Sequence, residues 1–360
     1  MLRRVAPAVA LVAILLPCVF ARAASPSAVR LIGPLRVVGA RLVEGTGRPV
    51  RLQGVAVESL DVYPYTFPHG PLSDADIATA QSWGANVIRV ALSQHFWNAD
   101  DCGYTAYSAY RATVQHVVDA ITGRGMVALL DLHYSTRLPC LPPGEQPMAD
   151  PGSVVFWQSV AEQFRGNPLV AFDLFNEPNV ASWDLWLHGG LVADRGGFGV
   201  PILWRAVGMQ TLYDVVRSTG ATNLVVVSGN HYANDPPPPA YLVQGTNIAY
   251  AVHAYTCPYR APPHCATVDP LDPSPELNRW LPLLGQAPVL LTEFGWPDPS
   301  AGQYMSNAIK WAQQHGVGWT AFDFNNSAPG PNFGLFVDHT SYTPTGTGRA
   351  VIDGLGRPAA

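Results

Sequence analysis

Eight short apolar segments recur along the chain, none longer than eight residues and most of them rich in β-branched side chains. A strand that is buried on both faces, as in a parallel sheet covered by helices, has this continuous apolar pattern. Stretches with a helical repeat separate most of the segments. Alternation that reaches eight strands predicts an α/β fold, a single-domain (β/α)8 TIM barrel. The predicted strands are 51–56, 86–92, 126–133, 169–176, 223–228, 248–255, 289–294 and 318–324.

Five of the intervening stretches carry apolar residues three or four positions apart, which is the spacing of one helix face. Ser73 can cap the first of these helices. The interval 229–247 contains four consecutive prolines and no helical repeat, so we expect a loop or a short helix there. The residues that mark the five helices are Ile77, Ala80 and Gly84; Tyr107, Tyr110, Val114, Val117, Val118 and Ile121; Phe156, Val160 and Phe164; Ile202, Ala206, Met209, Tyr213 and Val216; and Met305, Ile309 and Ala312.

The first 23 residues have the pattern of a secretory signal. Arg3 and Arg4 precede an apolar run over 5–20, and Ala21-Arg22-Ala23 fits a cleavage site between small residues. The apolar run is short for a membrane span. We therefore predict a signal peptide over 1–23, one domain over 24–360, and an extracellular location. An uncleaved N-terminal anchor is the alternative.

Removal of such a signal would leave four cysteines, and an exported protein favours their oxidation. We predict the pairs Cys257–Cys265 and Cys102–Cys140, although the sequence alone leaves the connectivity open. No Cys-x-x-Cys spacing is present, which argues against a structural zinc site. The net charge of −5, with scattered basic residues, gives no reason to expect a nucleic-acid partner.

Polar side chains stand at or just beyond the ends of several predicted strands. In a barrel of this kind, functional residues lie at the carboxyl ends of the strands. Burial of such groups costs several kcal/mol unless they pair with one another, so together they form a candidate active site. These residues are Arg89, His133, Asn176, Glu177, His253, Tyr255 and Glu293.

Two of these residues, Glu177 and Glu293, are carboxylates that follow or end the fourth and seventh strands. Two carboxylates suit acetal hydrolysis, in which one group gives a proton to the leaving oxygen and the other attacks the anomeric carbon. A separation of about 5–5.5 Å between them gives retention of configuration through a covalent intermediate. The sequence predicts that the two groups face each other across the barrel mouth.

Two motifs carry a family resemblance. Asp173-Leu174-Phe175-Asn176-Glu177-Pro178 and Leu291-Thr292-Glu293-Phe294-Gly295 resemble the signatures of glycoside hydrolase family 5, the cellulase family, and the likeness spans roughly 50–325. The resemblance implies that Glu177 is the acid/base and Glu293 the nucleophile of a catalytic domain over 24–360.

The resemblance also implies roles for the other strand-end residues. Arg89 and Tyr255 would hydrogen-bond Glu293 and keep it ionised. Asn176 would hold the sugar 2-hydroxyl, while His133 and His253 would bind substrate hydroxyls or orient Glu177. The family ends its eighth strand with a tryptophan that stacks under a sugar; here Phe322 takes that place, and Trp319 is expected in the core.

Tryptophans near the expected active face offer stacking platforms for sugar rings. Trp97, Trp183, Trp186 and Trp296 follow predicted strands, and each fits a sugar subsite or ordinary packing equally well. Trp296 comes directly after the Glu293 motif, and we predict that it binds substrate.

We therefore predict a retaining endo-β-1,4-glucanase that acts as a monomer on a polysaccharide or oligosaccharide, with no cofactor, metal or lasting membrane attachment. β-Mannanase, xyloglucanase and β-1,3-glucanase activities and a non-catalytic carbohydrate-binding barrel remain alternatives. A serine esterase would need Gly-x-Ser-x-Gly, which is missing from the sequence. A metal bound by the two histidines would lack a third ligand at a useful spacing.

Overall fold

The computed structural model describes residues 30–62, 72–99, 109–135, 145–194, 202–255, 269–298, 301–327 and 332–356. The predicted signal peptide and the cysteines of both predicted disulfides lie outside these residues, so those interpretations stay predictions. Within the described part of the chain, none of the helices combines the length and the apolar character that crossing a bilayer requires.

Eight parallel strands form a closed barrel, which confirms the predicted TIM-barrel fold. Each strand pairs with its neighbours in the sequence, and the ring closes where Trp319 of the last strand lies opposite Gln53 of the first. The strands are β1 (Gln53–Val57), β2 (Val87–Ser93), β3 (Val127–Tyr134), β4 (Val170–Asp173), β5 (Val225–Ser228), β6 (Ile248–Ala254), β7 (Val289–Phe294) and β8 (Gly318–Ala321).

Two predicted strands end three residues earlier in the structure, because the chain turns toward the barrel mouth sooner than the apolar pattern indicates. β4 ends at Asp173, and β8 ends at Ala321. The segment after β4 still bonds to the strands beside it: the Leu174 amide donates to the Val226 carbonyl at 3.0 Å, and the Asn176 amide donates to the Leu132 carbonyl at 3.0 Å. These bonds hold the start of the Asn176–Glu177 segment against the barrel.

Helices surround the barrel, and local capping fixes where two of the long ones begin. The Ser73 hydroxyl accepts from the Asp76 amide, and the Asp150 carboxylate accepts from the Ser153 amide. The helices are α1 (Asp74–Trp83), α2 (Gln94–Asn98), α3 (Tyr110–Gly123), α4 (Pro151–Phe164), α5 (Trp183–His188), α6 (Met209–Ser218), α7 (Asn230–Ala233), α8 (Ser274–Leu277), α9 (Leu281–Leu284), α10 (Gln303–His315) and α11 (Gly346–Gly354).

The predicted helix that begins at Ile202 is partly wrong. Ile202–Val207 is a strand that pairs antiparallel with Gly189–Asp194, and helix α6 begins only at Met209. The spacing of Ile202 and Ala206 misled the prediction, because residues four apart share one face of a strand as well as one face of a helix. Pairing with Gly189–Asp194, a strand that the sequence pattern did not reveal, makes this segment a strand rather than a helix.

The interval after β5 contains only short elements, as expected from its prolines. α7 is not an ordinary helix, since His231, Tyr232 and Ala233 have φ angles of 53°, 61° and 55°. Three successive left-handed residues other than glycine are strained and persist only where neighbouring contacts hold them. Here the Tyr232 amide donates to the Pro178 carbonyl at 2.9 Å, so the turn is attached to the residue after Glu177.

The apolar core has two layers, one inside the barrel and one between the strands and the helices. At the amino ends of the strands, Leu31, Leu35 and Leu42 cover the interior layer, and a small hairpin of Arg36–Val38 and Arg41–Val43 contributes to this cover. The opposite end of the barrel carries the polar side chains. The fold therefore leaves only the carboxyl ends of the strands available for a site inside the ring.

Candidate active site

The two carboxylates singled out from the sequence lie together at the barrel mouth. Glu177 follows β4 and Glu293 lies in β7, yet one carboxylate oxygen of each lies within 4.8 Å of the other and of a His253 ring nitrogen. This separation agrees with the short distance of retaining glycosidases and leaves too little room for the water that inverting enzymes place between the groups.

Glu293 is 6% exposed, and each of its oxygens accepts a strong hydrogen bond. The Tyr255 hydroxyl donates to Oε1 at 2.6 Å, and Arg89 Nη1 donates to Oε2 at 2.8 Å. Burial alone would raise the pKa of Glu293, but the electrostatic influence of His253, Arg89 and His133 lowers it to about 2. Glu293 is therefore ionised at any ordinary pH, as an attacking carboxylate must be.

Glu177 lies at the surface of the cleft, with 16% of its side chain exposed. Its Oε1 lies 2.8 Å from Nδ1 of the fully buried His253. The other ring nitrogen of His253 lies 3.1 Å from the Thr292 hydroxyl, so the imidazole is fixed at both ends. Because Thr292 can donate to one nitrogen, the other can donate to Glu177 and orient its carboxyl group.

Arg89 is the centre of the buried polar network and is 1% exposed. Besides Glu293, its guanidinium contacts Asp173 Oδ2 at 2.9 Å, Asn176 Oδ1 at 2.8 Å and Asp131 Oδ2 at 3.1 Å. The single Arg89 cation therefore forms ion pairs with three carboxylates, those of Asp131, Asp173 and Glu293. Burial and the charge of Asp131 raise the pKa of Asp173 to about 7 against the opposing effect of Arg89.

Asp131 and Asp173 are not among the site residues predicted from the sequence, although Asp173 begins the first of the two motifs. Asp131 is two residues before His133, and its Oδ2 lies 2.7 Å from His133 Nδ1. Burial would lower the pKa of His133, but Asp131 raises it well above the usual value. A guanidinium that is buried inside a barrel requires anions near it. A search for acidic residues within the neighbouring strands would therefore have found Asp131 and Asp173.

A cleft of about 840 Å³ opens above these residues, which is within the range of ligand-binding sites. Four glutamates reach it: Glu177, Glu293, Glu58 and Glu145. Its lining also includes His133, Tyr134, Asn179, His231, Tyr232, Asn234, Asp235, Tyr255, Arg279, Phe322 and Phe333. The cleft can therefore hold a polar ligand with many hydroxyl groups.

Several cleft residues were not anticipated from the sequence. Glu58 comes directly after β1, and the same strand-end rule that selected Glu177 would have found it. Glu145, Tyr232 and Arg279 come from loops or from short helical segments that no periodicity marks. Such positions depend on how the loops fold back over the barrel mouth, which no local pattern reports.

The aromatic residues divide between the cleft and the core. Phe322 lines the cleft beside Tyr255, with ring centroids 6.5 Å apart, and Trp319 is buried in β8. Trp97 and Trp186 are fully buried, and Trp183 packs against Trp186. The half-buried Trp296 packs against Tyr304, and it is not among the described residues that line the cleft.

Among the described residues, one group of side chains converges closely enough to hold a metal ion, namely Glu177, His253 and Glu293. Both oxygens of Glu293 already accept hydrogen bonds from Tyr255 and Arg89, and His253 is fixed between Glu177 and Thr292. This arrangement places an ionised carboxylate and an oriented carboxyl group on either side of a small gap. It suits attack by one carboxylate on the anomeric carbon of a sugar and transfer of a proton from the other group to the oxygen that leaves that carbon.

Solved structures with the same fold include the β-glucanase SdGluc5_26A from Saccharophagus degradans, with a TM-score of 0.67 and 20% identity over 95% of this chain and 97% of that one. The catalytic domain of Thermobifida fusca endoglucanase Cel5A (E5) has a TM-score of 0.63 and 19% identity, covering 90% and 97% of the two chains. These likenesses show the shared barrel architecture.

Curated relatives carry endoglucanase names. The chain is 22% identical to endoglucanase E-5 of Thermobifida fusca over 82% of its own length and 56% of that protein, and 26% identical to endoglucanase CelA of Streptomyces lividans over 80% and 54%. It spans about half the length of these two relatives. The family model for cellulase (glycosyl hydrolase family 5) matches residues 43–328. With that match over most of its length, the chain belongs to glycosyl hydrolase family 5, the cellulase family.

Proposed function

We propose that the protein is a retaining glycoside hydrolase that cleaves a β-linked glucan internally, with β-1,4-glucan as the favoured substrate. The observation that carries the proposal is the close approach of the Glu177 and Glu293 carboxylates at one cleft. Family membership and the endoglucanase names of the relatives support it.

The reaction proceeds by two displacements at one carbon. The ionised Glu293 attacks the anomeric carbon while the bond from that carbon to the leaving oxygen breaks, and Glu177 gives its proton to that oxygen. Glu177 then takes a proton from a water molecule, whose oxygen attacks the same carbon and releases Glu293. Each step inverts the configuration, so the product retains it.

The residues around the pair support this chemistry in distinct ways. Arg89 and Tyr255 hold Glu293 ionised and aimed, through hydrogen bonds of 2.8 and 2.6 Å. His253 orients Glu177. The Asn176 amide oxygen accepts from Arg89, and its amide nitrogen lies 2.8 Å from Glu145, which lines the cleft; we propose that this nitrogen donates to the 2-hydroxyl of the bound sugar.

The shape and lining of the cleft favour an extended sugar chain. Aromatic side chains lie along it at Phe322, Phe333 and the half-exposed Tyr232, which can pack against the apolar faces of sugar rings. A structure of the Saccharophagus degradans β-glucanase contains cellotetraose. A mannanase from Streptomyces sp. SirexAA-E is also similar in fold, with a TM-score of 0.60, so β-mannan is the second candidate substrate.

A panel of soluble β-1,4-glucan, β-1,3-glucan, xyloglucan and β-mannan, with analysis of product lengths, tests the proposal. We expect a rapid fall in polymer length on β-1,4-glucan and a loss of at least a thousandfold in Glu293→Gln. Glu162→Gln, on the exposed face of α4, is the matched control and should keep full activity. Equal turnover by wild type and Glu293→Gln would show that the barrel only binds carbohydrate.

The acid/base role of Glu177 has its own test. Glu177→Ala should slow substrates with poor leaving groups much more than activated aryl glycosides, because the latter need no proton. Azide should restore turnover by attacking the glycosyl intermediate from the side that Glu177 has vacated. Equal losses on both kinds of substrate would rule out the assignment.

We further propose that the protein is exported as a monomer, with residues 1–23 removed and the four remaining cysteines paired. The apolar run over 5–20 and the even cysteine count support this proposal. Intact-mass measurement of the secreted protein, with and without reductant, tests the removal of residues 1–23 and the cysteine pairing, and size-exclusion chromatography tests the monomeric state. Retention of residues 1–23, or an unchanged mass after reduction, would contradict it.

A further inference from the structure

Glu145 is a carboxylate of the cleft to which neither the double displacement nor the family motifs give a part. It follows β3 in the loop before α4 and leaves 42% of its side chain exposed to the cleft. Its Oε1 accepts a hydrogen bond of 2.8 Å from Asn176 Nδ2. The group that would bind the sugar 2-hydroxyl is thus already in contact with a carboxyl group, whose pKa is raised to about 7 by burial and the nearby Glu177 and Glu293 against the opposing charge of His133.

The orientation of the Asn176 side chain follows from its two partners. Arg89 Nη2 donates to Asn176 Oδ1 at 2.8 Å, so the amide oxygen faces the guanidinium and the amide nitrogen faces Glu145. A reversed amide would place a donor against Arg89 and an acceptor against a carboxylate. A ligand atom placed beside Asn176 Nδ2 would therefore meet one donor, the amide nitrogen, and one acceptor, the Glu145 carboxyl group.

His133 adds a second contact to the same carboxylate. Its Nδ1 lies 2.7 Å from Asp131, and its Nε2 lies 3.4 Å from Glu145 Oε1 and 3.3 Å from Asn176 Nδ2. The raised pKa of His133 indicates that the ring holds a proton on each nitrogen, so Nε2 points a donor toward Glu145. Glu145 is thereby held at one oxygen and can offer the other to a ligand.

The loop that carries Glu145 is fixed to the barrel rather than loose above it. Gln146, Met148 and Ala149 are buried, and the Pro147 carbonyl accepts from the Asn179 amide at 2.8 Å. Asn179 is two residues beyond Glu177, so the Glu145 loop and the acid/base segment are joined directly. Glu145 thus has a defined position relative to the reacting sugar.

We propose, on the basis of the proposed glycosidase function, that Glu145 is a substrate-specificity residue that accepts a hydrogen bond from the C2 hydroxyl of the reacting sugar. Asn176 Nδ2 donates to the oxygen of that hydroxyl, and the hydroxyl proton points to the Glu145 carboxylate. A hydroxyl can donate and accept at once, so it satisfies both neighbours in the geometry seen here.

This pairing defines which sugars fit. A protonated 2-amino group cannot accept from Asn176, and a 2-acetamido group would place its bulk where the Glu145 carboxylate lies. The site therefore selects a β-linked sugar with a free hydroxyl at C2. The contact also strengthens during the reaction, because positive charge that develops at the anomeric carbon makes the neighbouring hydroxyl a better donor to an anion.

The test combines a side-chain change with deletion of the hydroxyl. Wild type, Glu145→Gln and Glu145→Ala are compared on 2,4-dinitrophenyl β-cellobioside and on the analogue that lacks the 2-hydroxyl on the ring joined to the aryl group. The activated leaving group removes the need for a proton. Comparison between enzymes cancels the higher intrinsic reactivity of the deoxy substrate.

At pH 8, above the Glu145 pKa of about 7, we expect both variants to lose about ten- to a hundredfold in kcat/KM on the hydroxyl substrate, the value of a hydrogen bond to a charged group, and less than threefold on the deoxy substrate. Glu58→Gln is the matched control, since Glu58 lines the same cleft and no hydrogen bond joins it to Asn176. Any loss in that variant should be equal on the two substrates.

Equal losses on the two substrates in the Glu145 variants would overturn the proposal, because a merely structural residue affects both alike. Unchanged kinetics in both variants would overturn it as well. A wild-type enzyme that turns over neither aryl glycoside nor any polysaccharide would instead refute the proposed function itself. Thermal unfolding of each variant confirms that the enzymes compared are folded.

Discussion

Replacement of Arg89 by methionine tests whether the site is an electrostatic unit or a set of separate contacts. The side chain is 1% exposed and contacts Asp173, Glu293 and Asp131 at 2.9, 2.8 and 3.1 Å. Methionine fills much of the same space without charge, so the variant leaves Asp173 and Glu293 without the guanidinium and Asp131 with His133 as its remaining cationic contact.

The expected decrease in the free energy of unfolding follows from the loss of these ion pairs. Breaking a buried ion pair by removing one partner costs about 3–5 kcal/mol, because the remaining charge stays buried. The three pairs share one cation, so their costs are not summed. At about 2 °C per kcal/mol for a chain of this size, Arg89→Met should lower the melting temperature at pH 7 by about 6–10 °C.

The loss of stability in Arg89→Met should increase as the pH rises. In the wild type, the pKa of Glu293 is lowered to about 2, so ionised Glu293 stabilises the fold above its unfolded pKa near 4.5. Without Arg89 the pKa values of Glu293 and Asp173 rise, and a raised pKa gives stability that is present at low pH and lost as pH increases. Wild-type Glu293 keeps most of its stabilising effect at pH 4, so the deficit should already be present at pH 4 and should increase to pH 8.

Calorimetric unfolding at pH 4, 6 and 8 measures the effect, with Arg349→Met at an exposed position of α11 as the control. Adding Asp173→Asn to Arg89→Met should recover part of the stability at pH 8, because one of the unpaired charges is gone. A deficit below about 1 kcal/mol at pH 8, or one that is the same at all three pH values, would refute the reasoning.

Two further outcomes follow from the same network. Tyr255→Phe removes the hydroxyl that donates to Glu293 at 2.6 Å, so kcat/KM should fall about tenfold. The acid limb of the pH profile of kcat/KM should move to higher pH, because the pKa of Glu293 rises. An unmoved acid limb would contradict the role of Tyr255 in keeping Glu293 ionised. Asp61→Asn should stabilise the protein more at pH 8 than at pH 5, because burial raises the pKa of Asp61 to about 7 and wild type loses stability as this group ionises. Urea unfolding of wild type and Asp61→Asn at the two pH values measures the difference, and an equal effect at both would show that the pKa of Asp61 is not raised in the folded protein.

The site was predictable to the extent that it follows the strand-end rule. Arg89, Glu177, His253 and Glu293 stand at positions where polar groups interrupt apolar runs, and the structure brings them together. Asp131 lies within its run and was passed over, although burying a guanidinium demands such a partner.

Residues from loops and local helical segments were harder to place. Trp97 and Trp186 follow strands as a stacking platform would, but packing against neighbouring helices and strands buries both. Glu145 and Tyr232 reach the cleft only because their loops are fixed to the segment that follows Glu177. No spacing in the sequence reports such contacts between distant loops.

The sequence by itself determined the alternation of strands and helices, and with it the barrel and the end at which the site would lie. Period and polarity act over a few residues, and eight repeats of one unit leave little choice of architecture. The tertiary structure alone decided that residues 202–207 form a strand, and which carboxylates share Arg89 and which side chain contacts Asn176. Those outcomes depend on distances between atoms far apart in the chain, because hydrogen bonds and charge effects act over a few ångströms of space and not along the sequence.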